Sequence, residues 1–194
     1  MRAELLALLD ELHRDGVAFD ASQADRLHRR RNLEPDSAAL LRLLILSNEL
    51  RSVLEIGTSN GYSTVWFCEA VSHTGGRVVS VDTDADALAQ ARANLQRAGL
   101  EADLRVADGG DTLREVSAGS VDLLFLDAER TEYAGWWPHP RRALAPRGVL
   151  AVDNVLSHPD EVAELQGLVE SDPGLWSVVV PTGKGMLLAT AEPT

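Results

Sequence analysis

The chain has 194 residues, of which 45% are hydrophobic and 25% charged, the ordinary mix of a soluble globular domain and enough to bury a core without staples. Its 18 Lys+Arg against 30 Asp+Glu give a formal charge of −12, and Lys184 is its one lysine. The clustered bases that neutralise phosphates are therefore missing, which argues against nucleic acid or an anionic membrane surface as partner.

The first 15 residues, MRAELLALLDELHRD, repeat Leu5, Leu6, Leu9 and Leu12 at helical spacing. Glu4, Asp10 and Glu11 interrupt that apolar stripe, so it does not read as a signal peptide. Arg29-Arg30-Arg31 follows; a solvated turn is the leading reading of such a charge run, and a substrate-facing arginine the sharper alternative. A second helix is expected over Ala39–Leu50, with Pro35-Asp36-Ser37 supplying its start. Within it Ala38–Leu46 is the most apolar stretch, but Arg42 breaks it and it is far too short to span a bilayer. Cys68 is the single cysteine, which rules out an intrachain disulfide and favours a reducing interior, and behind Trp66-Phe67 it reads as a small buried hydrophobe. The expectation is one cytoplasmic domain, with residues 1–50 helical and residues 51–194 an α/β core.

From residue 51 short apolar runs alternate with helical patterns. The runs are Val53–Ile56, Val78–Val81, Leu104–Val106, Val121–Leu126 and Val149–Val152. A helix over Asp84–Ala98 separates the second and third and stops at Gly99-Leu100. Such alternation predicts a doubly wound, mainly parallel sheet with helices on both faces. Leu175–Val180 and Met186–Thr190, joined by Pro181-Thr182-Gly183-Lys184-Gly185, predict an antiparallel hairpin at its end.

Open α/β sheets bind ligands beyond the carboxyl ends of their strands. After the first strand comes Glu55-Ile56-Gly57-Thr58-Ser59-Asn60-Gly61-Tyr62-Ser63-Thr64. Two glycines four apart let backbone approach a ligand, with Ser63 and Thr64 at the head of the next helix. Ser59 replaces the second glycine of G-x-G-x-x-G, and no G-K-[ST] follows, which disfavours a dinucleotide or a nucleoside triphosphate. Glu55 ends a buried strand, where an acid is costly without partners. Asp82 and Thr83 end the second strand, placing an acid where ribose hydroxyls would lie, and Asp108-Gly109-Gly110-Asp111 ends the third. The plainer alternatives are a helix cap for Asp82 and a turn for Asp108.

The segments VLEIGTSNGYST, VVSVDTD, LLFLDAERTEY, GVLAVDNV and GKGMLLA together resemble the caffeoyl-CoA and catechol type of S-adenosylmethionine-dependent O-methyltransferase, over about Leu33 to Ala191. The resemblance implies a seven-stranded class I methyltransferase sheet. It implies that Glu55, Gly57, Thr58, Ser59, Gly61 and Ser63 hold the methionine part of S-adenosylmethionine, with Asp127 at its edge. Asp82 and Thr83 would hold the ribose, and Asp108, Gly109 and Asp111 would border the adenine.

Asp127 ends the fourth strand and Asp153-Asn154 the fifth. Two carboxylates and an amide oxygen at one rim suit a hard divalent cation such as Mg²⁺. In the family these positions bind the metal that grips vicinal hydroxyls of the acceptor and lowers their pKa. The plainer reading is that they are solvated strand ends. Where such enzymes commonly carry a lysine base this chain has Arg130, which stays charged and cannot take a proton. Either the metal alone acidifies the acceptor, with Arg130 steadying the oxyanion beside Asp127, or the acceptor is not a catechol, or activity is lost. Arg29–Asn32, Trp136, Trp137, His139 and His158 are candidates to line the acceptor site. The expected function is O-methylation of a small, catechol-like hydroxylated acceptor, with a homodimer left open. The alternatives are a metal-independent methyltransferase and a non-catalytic protein that binds the same cofactor.

Overall fold

The computed structural model describes residues 1–24 and 30–191. Its strands are β1 (Ser52–Ile56), β2 (Arg77–Asp82), β3 (Asp103–Val106), β4 (Val121–Leu126), β5 (Leu144–Val152), β6 (Leu175–Val180) and β7 (Met186–Ala191). They form one sheet in the order β3-β2-β1-β4-β5-β7-β6. β1 lies parallel to both β2 and β4, so strand order reverses beside it and a crevice opens at the carboxyl ends of β1 and β4. β7 runs antiparallel to β5 and β6, with Val180 opposite Met186, which is the expected closing hairpin.

The helices are α1 (Ala3–Ser22), α2 (Pro35–Ser47), α3 (Tyr62–Thr74), α4 (Ala85–Ala98), α5 (Gly109–Glu115), α6 (Tyr133–Trp136), α7 (His139–Ala143) and α8 (Pro159–Ser171). The strand period of two splits β4 between two cores. Leu123 and Phe125 pack with Leu41, Ile45, Val65 and Phe67 on one face. Leu124 and Leu126 pack with Tyr133, Leu165 and Val169 on the other. Burying each such side chain contributes about 1.5–3 kcal/mol, so β4 is the strand around which both layers close. Arg42, which interrupts the apolar run of α2, reaches Glu69 of α3 through Nε at 2.7 Å and Nη2 at 3.1 Å. The break in the hydrophobic pattern is thus a clamp between two helices, and α2 ends at Ser47 rather than Leu50.

The fifth strand differs from its expected limits, Val149–Val152. It begins at Leu144 and runs through Ala145-Pro146-Arg147-Gly148, with Arg147 at φ 63 and a register shift between Val121 and Leu123 of β4. Pro and Gly read as a loop, yet an irregularity in the ladder accommodates both. Among the described residues no helix is long and apolar enough to cross a membrane. Cys68 is buried, its thiol donating to the Glu101 carbonyl at 3.3 Å, and burial pushes its pKa up, so it behaves as the hydrophobe expected.

Candidate active site

The turn from β1 into α3 requires glycine twice. Gly57 adopts φ +102 beneath the Asp127 carbonyl of β4's end, and a Cβ there would collide with that backbone. Gly61 adopts φ +81 and lies where a Cβ would come within 2.8 Å of Ala91 Cβ in α4. The loop can therefore lie low between β4 and α4, leaving the N-terminus of the 13-residue α3 open to the crevice.

Beneath it Glu55 is fully buried and saturated with hydroxyls. Ser63 Oγ donates to Oε1, while Thr64 Oγ1 and Ser80 Oγ donate to Oε2 at 2.5 Å each. Thr58 Oγ1 joins Ser80 Oγ at 2.6 Å. Burial pushes the Glu55 carboxyl up to about 7 despite these donors, with the Asp127 charge adding to the rise. The partners that a buried acid needs are thus supplied by the chain itself.

A cleft of about 330 Å³ opens above this layer, lined by Gly57, Thr58, Ser59, Ser63, Asp82, Thr83, Asp108, Gly109 and Asp127 among others. Sequence reasoning reached these nine positions, and the topology brings them together. Asp82 accepts Ser59 N–H at 2.8 Å on one oxygen and Asp84 N–H at 3.0 Å on the other. It does not cap α4; Asp84 does, accepting from Asp86 and Ala87. Asp108 both lines the cleft and caps α5 through Asp111 N–H at 2.8 Å. Trp136 is 7% exposed, lies against Gly109 and Gly110, and forms a cleft wall from within the core.

Glu55, Gly61 and Asp111 stand outside the lining: Glu55 lies below it, Gly61 behind it, and Asp111 turns outward to Arg114. Asp84, Glu129 and Glu132 line it without having been singled out. Their signal was position alone: Asp84 directly follows Thr83, and Glu129 and Glu132 lie two and five residues past Asp127. Arg30, Arg31 and Asn32 also line the cleft, so this part of the basic run is not a solvated turn; Arg29 lies outside the described residues.

Behind the Asp127 wall the carboxylate pair converges. Asn154, at φ 69, donates Nδ2 to Asp127 Oδ1 at 3.1 Å and to Asp153 Oδ2 at 2.9 Å. Asp153 is 2% exposed, and its Oδ1 is buried with no hydrogen-bond partner. Burial pushes both carboxyls up; the Asp127 charge raises Asp153 further, and Lys184 draws both down. Among the described residues no three His, Cys, Asp or Glu side chains gather for a metal, so the donor set is two carboxylates and one amide. An orphaned carboxylate oxygen beside a second acid fits a hard cation that keeps several waters. The loop bearing Asp127 is fixed by Tyr133, whose buried hydroxyl accepts Ala128 N–H at 2.6 Å.

Arg130 is 5% exposed, and its Nε and Nη2 both lie 2.7 Å from Glu161 Oε2 on α8. It is absent from the cleft lining, although its charge still draws the Asp127 carboxyl down. His158 precedes α8 and bonds Ser157 Oγ through Nδ1 at 2.9 Å, while Trp137 packs against the core.

A glycine-turned loop, an open helix N-terminus and acids at successive strand ends, all at a switch point, are what a sheet of the Rossmann-like class offers a ligand. A model of the methyltransferase domain matches residues 54–155, and the chain belongs to that family. It is 30% identical over 130 residues to a catechol O-methyltransferase of Niastella koreensis, covering 64% of this chain and 58% of the relative. It is 37% identical over 151 residues to a catechol O-methyltransferase of Mycobacterium tuberculosis, covering 76% and 66%. The match thus spans less than two thirds of either relative's length. The fold superposes on an O-methyltransferase from Bacillus cereus in complex with SAH with a TM-score of 0.81, at 23% identity, over 96% of this chain and 91% of that one.

Proposed function

We propose that this chain is an S-adenosylmethionine-dependent O-methyltransferase acting on a small, catechol-like hydroxylated acceptor. The observation that carries the reading is that Asp82, Asp108 and Asp127, from three strand ends, face one cleft with the Gly57–Ser63 loop. In this reading Asp82, already oriented by two backbone amides, accepts from the ribose hydroxyls. Thr83 stands beside Asp82, and Asp108, Gly109 and Trp136 border the adenine. The α3 N-terminus and Ser63, whose hydroxyl Glu55 aligns, take the methionine carboxylate. Asp111, turned outward to Arg114, takes no part in holding the cofactor in this reading. The cleft carries more acids than bases and so favours a sulfonium cation.

Asp127, Asp153 and Asn154 would hold a divalent cation, which when bound would lower the pKa of an acceptor hydroxyl beside it. Arg130 is bound to Glu161 and keeps its proton, so it contributes charge and position rather than base catalysis. A metal-free reading is favoured by one observation: Asn154 Nδ2 already bridges the two acids. There, Asp127 or Asp153 would itself take the acceptor proton, a role suited to a carboxyl whose pKa is raised.

Calorimetry with S-adenosylmethionine tests the cofactor: binding should be lost or at least about tenfold weaker in Asp82→Ala, as expected for losing a charged hydrogen-bond acceptor. Absence of binding to the unaltered chain would sink the reading. Methylation of a catechol panel with and without Mg²⁺, against Asp153→Ala, separates the two proton routes.

A further inference from the structure

The two cations in the cleft lining have different environments. Asp20 of α1 accepts the backbone N–H of Arg30 at 2.7 Å and of Arg31 at 2.9 Å, so both residues are pinned to the helix before them. The Arg30 carbonyl accepts from Ser59 Oγ at 3.0 Å, which ties the same segment to the glycine loop. From this shared anchor the side chains differ. The Arg30 guanidinium sits over the Phe19 ring, 4.2 Å from its centroid. Arg31, at φ 49 and half-buried, lines the cleft without a side-chain hydrogen bond or ion pair among the described residues.

The other cations whose charge reaches Asp127 are engaged. Arg130 is paired with Glu161, and Lys184 Nζ lies 3.2 Å from Glu34 Oε1. Arg31 also reaches Asp127, but only through space. A half-buried guanidinium with no hydrogen-bonded or ion-paired anion among the described residues is costly to hold in place, and its planar fork matches a carboxylate. The methionine carboxylate is assigned above to the α3 N-terminus, which leaves the acceptor as the source of the anion.

We propose that Arg31 is a specificity residue that binds a carboxylate on the acceptor, making the substrate class hydroxylated aromatic acids rather than neutral phenols or catechols. This inference rests on the methyltransferase reading. Arg31 takes no part in the proton or methyl movement; it orients the ring so that the hydroxyl at its far side meets the Asp127 wall.

The test uses the full chain, its Arg31→Gln and Arg31→Lys variants, and two probes that differ in charge and by one methyl group, protocatechuate and its methyl ester. Binding of each probe to the SAH complex is measured by calorimetry, and KM and kcat by methyl transfer. The unaltered chain should bind the acid about 10–100-fold more tightly than the ester, the range of a charge-assisted hydrogen bond. Arg31→Gln should raise KM for the acid by about the same factor and move the ester's KM far less, and Arg31→Lys should recover part of the loss. Because the Arg31 charge also reaches Asp127, any change in kcat should be shared by acid and ester. Equal affinity for acid and ester, equal losses on both in Arg31→Gln, or binding of neither probe overturns the inference. So does a tenfold or greater loss of SAH affinity in Arg31→Gln, which would make Arg31 a cofactor residue. Failure of the unaltered chain to bind SAH is a separate result, and it refutes the methyltransferase reading instead.

Discussion

Replacing Glu55 with Gln should remove a pH dependence that the fold imposes on itself. The carboxyl is fully buried and pushed from 4.5 up to about 7. Below 4.5 it is protonated in folded and unfolded chains alike. Between 4.5 and 7 the unfolded chain releases the proton and the folded chain keeps it, so stability falls as pH rises, and above about 7 the loss is complete. At 1.36 kcal/mol per pKa unit, that rise corresponds to about 3 kcal/mol. Asp127 and Asp153 shift in the same direction and steepen the fall, whereas Glu69 and Asp103, held low by arginine, act in the opposite sense in more acid solution. Urea unfolding without ligand at pH 5 and pH 8, on the unaltered chain and Glu55→Gln, reads the effect as a change in free energy at constant slope. Because the unfolded chain has already begun to titrate at pH 5, the variant should lose about 2.5 kcal/mol less over that interval. Parallel losses in the two proteins would show that the hydroxyls of Ser63, Thr64 and Ser80 already stabilise the ionised form in full, and the argument from burial would be wrong.

Asp153→Asn removes one of two like charges and should raise unfolding free energy at pH 8 while weakening Mg²⁺ binding, both measurable without turnover. Arg130→Met breaks the pair with Glu161 and should cost about 1–3 kcal/mol in denaturant unfolding; because Glu161 is 32% exposed, the larger penalty of a fully buried pair does not apply. Gly57→Ala forces a Cβ against the Asp127 carbonyl at a φ that favours glycine and should cost more than about 2 kcal/mol, with loss of cofactor binding; an unchanged melting temperature would contradict the close approach of β1 and β4.

The strands and the closing hairpin were legible because their periodicity and turn chemistry are local. β5 was not fully legible, since Pro146 and Gly148 signal a break that the ladder absorbs with a register shift. Strand-end acids could be ranked as a rim from topology rules alone, but which oxygen faces ligand and which faces backbone is settled by tertiary contacts. Asp82 and Asp84 are two residues apart and alike in sequence, yet Asp84 caps α4 while Asp82 takes the Ser59 amide from the loop of another strand.

The charge pattern shows most clearly where sequence reasoning stops. The position three residues past Asp127 holds Arg130, and its type alone excludes a base. What it does was invisible until α8 brought Glu161 to it, 31 residues away in sequence. Lys184 illustrates the converse. Remote in sequence from both acids, it sits in a hairpin turn whose carbonyls at Lys184 and Gly185 accept the Val155, Leu156 and Ser157 amides just after Asp153-Asn154. The hairpin thus carries the chain's one lysine to the carboxylate pair, where its charge draws both acids down from the loop beside them. The −12 balance is therefore unevenly spread. At the rim of the site the acids meet cations from three separate elements, and Arg31 is the one whose guanidinium is left facing the cleft without a partner among the described residues.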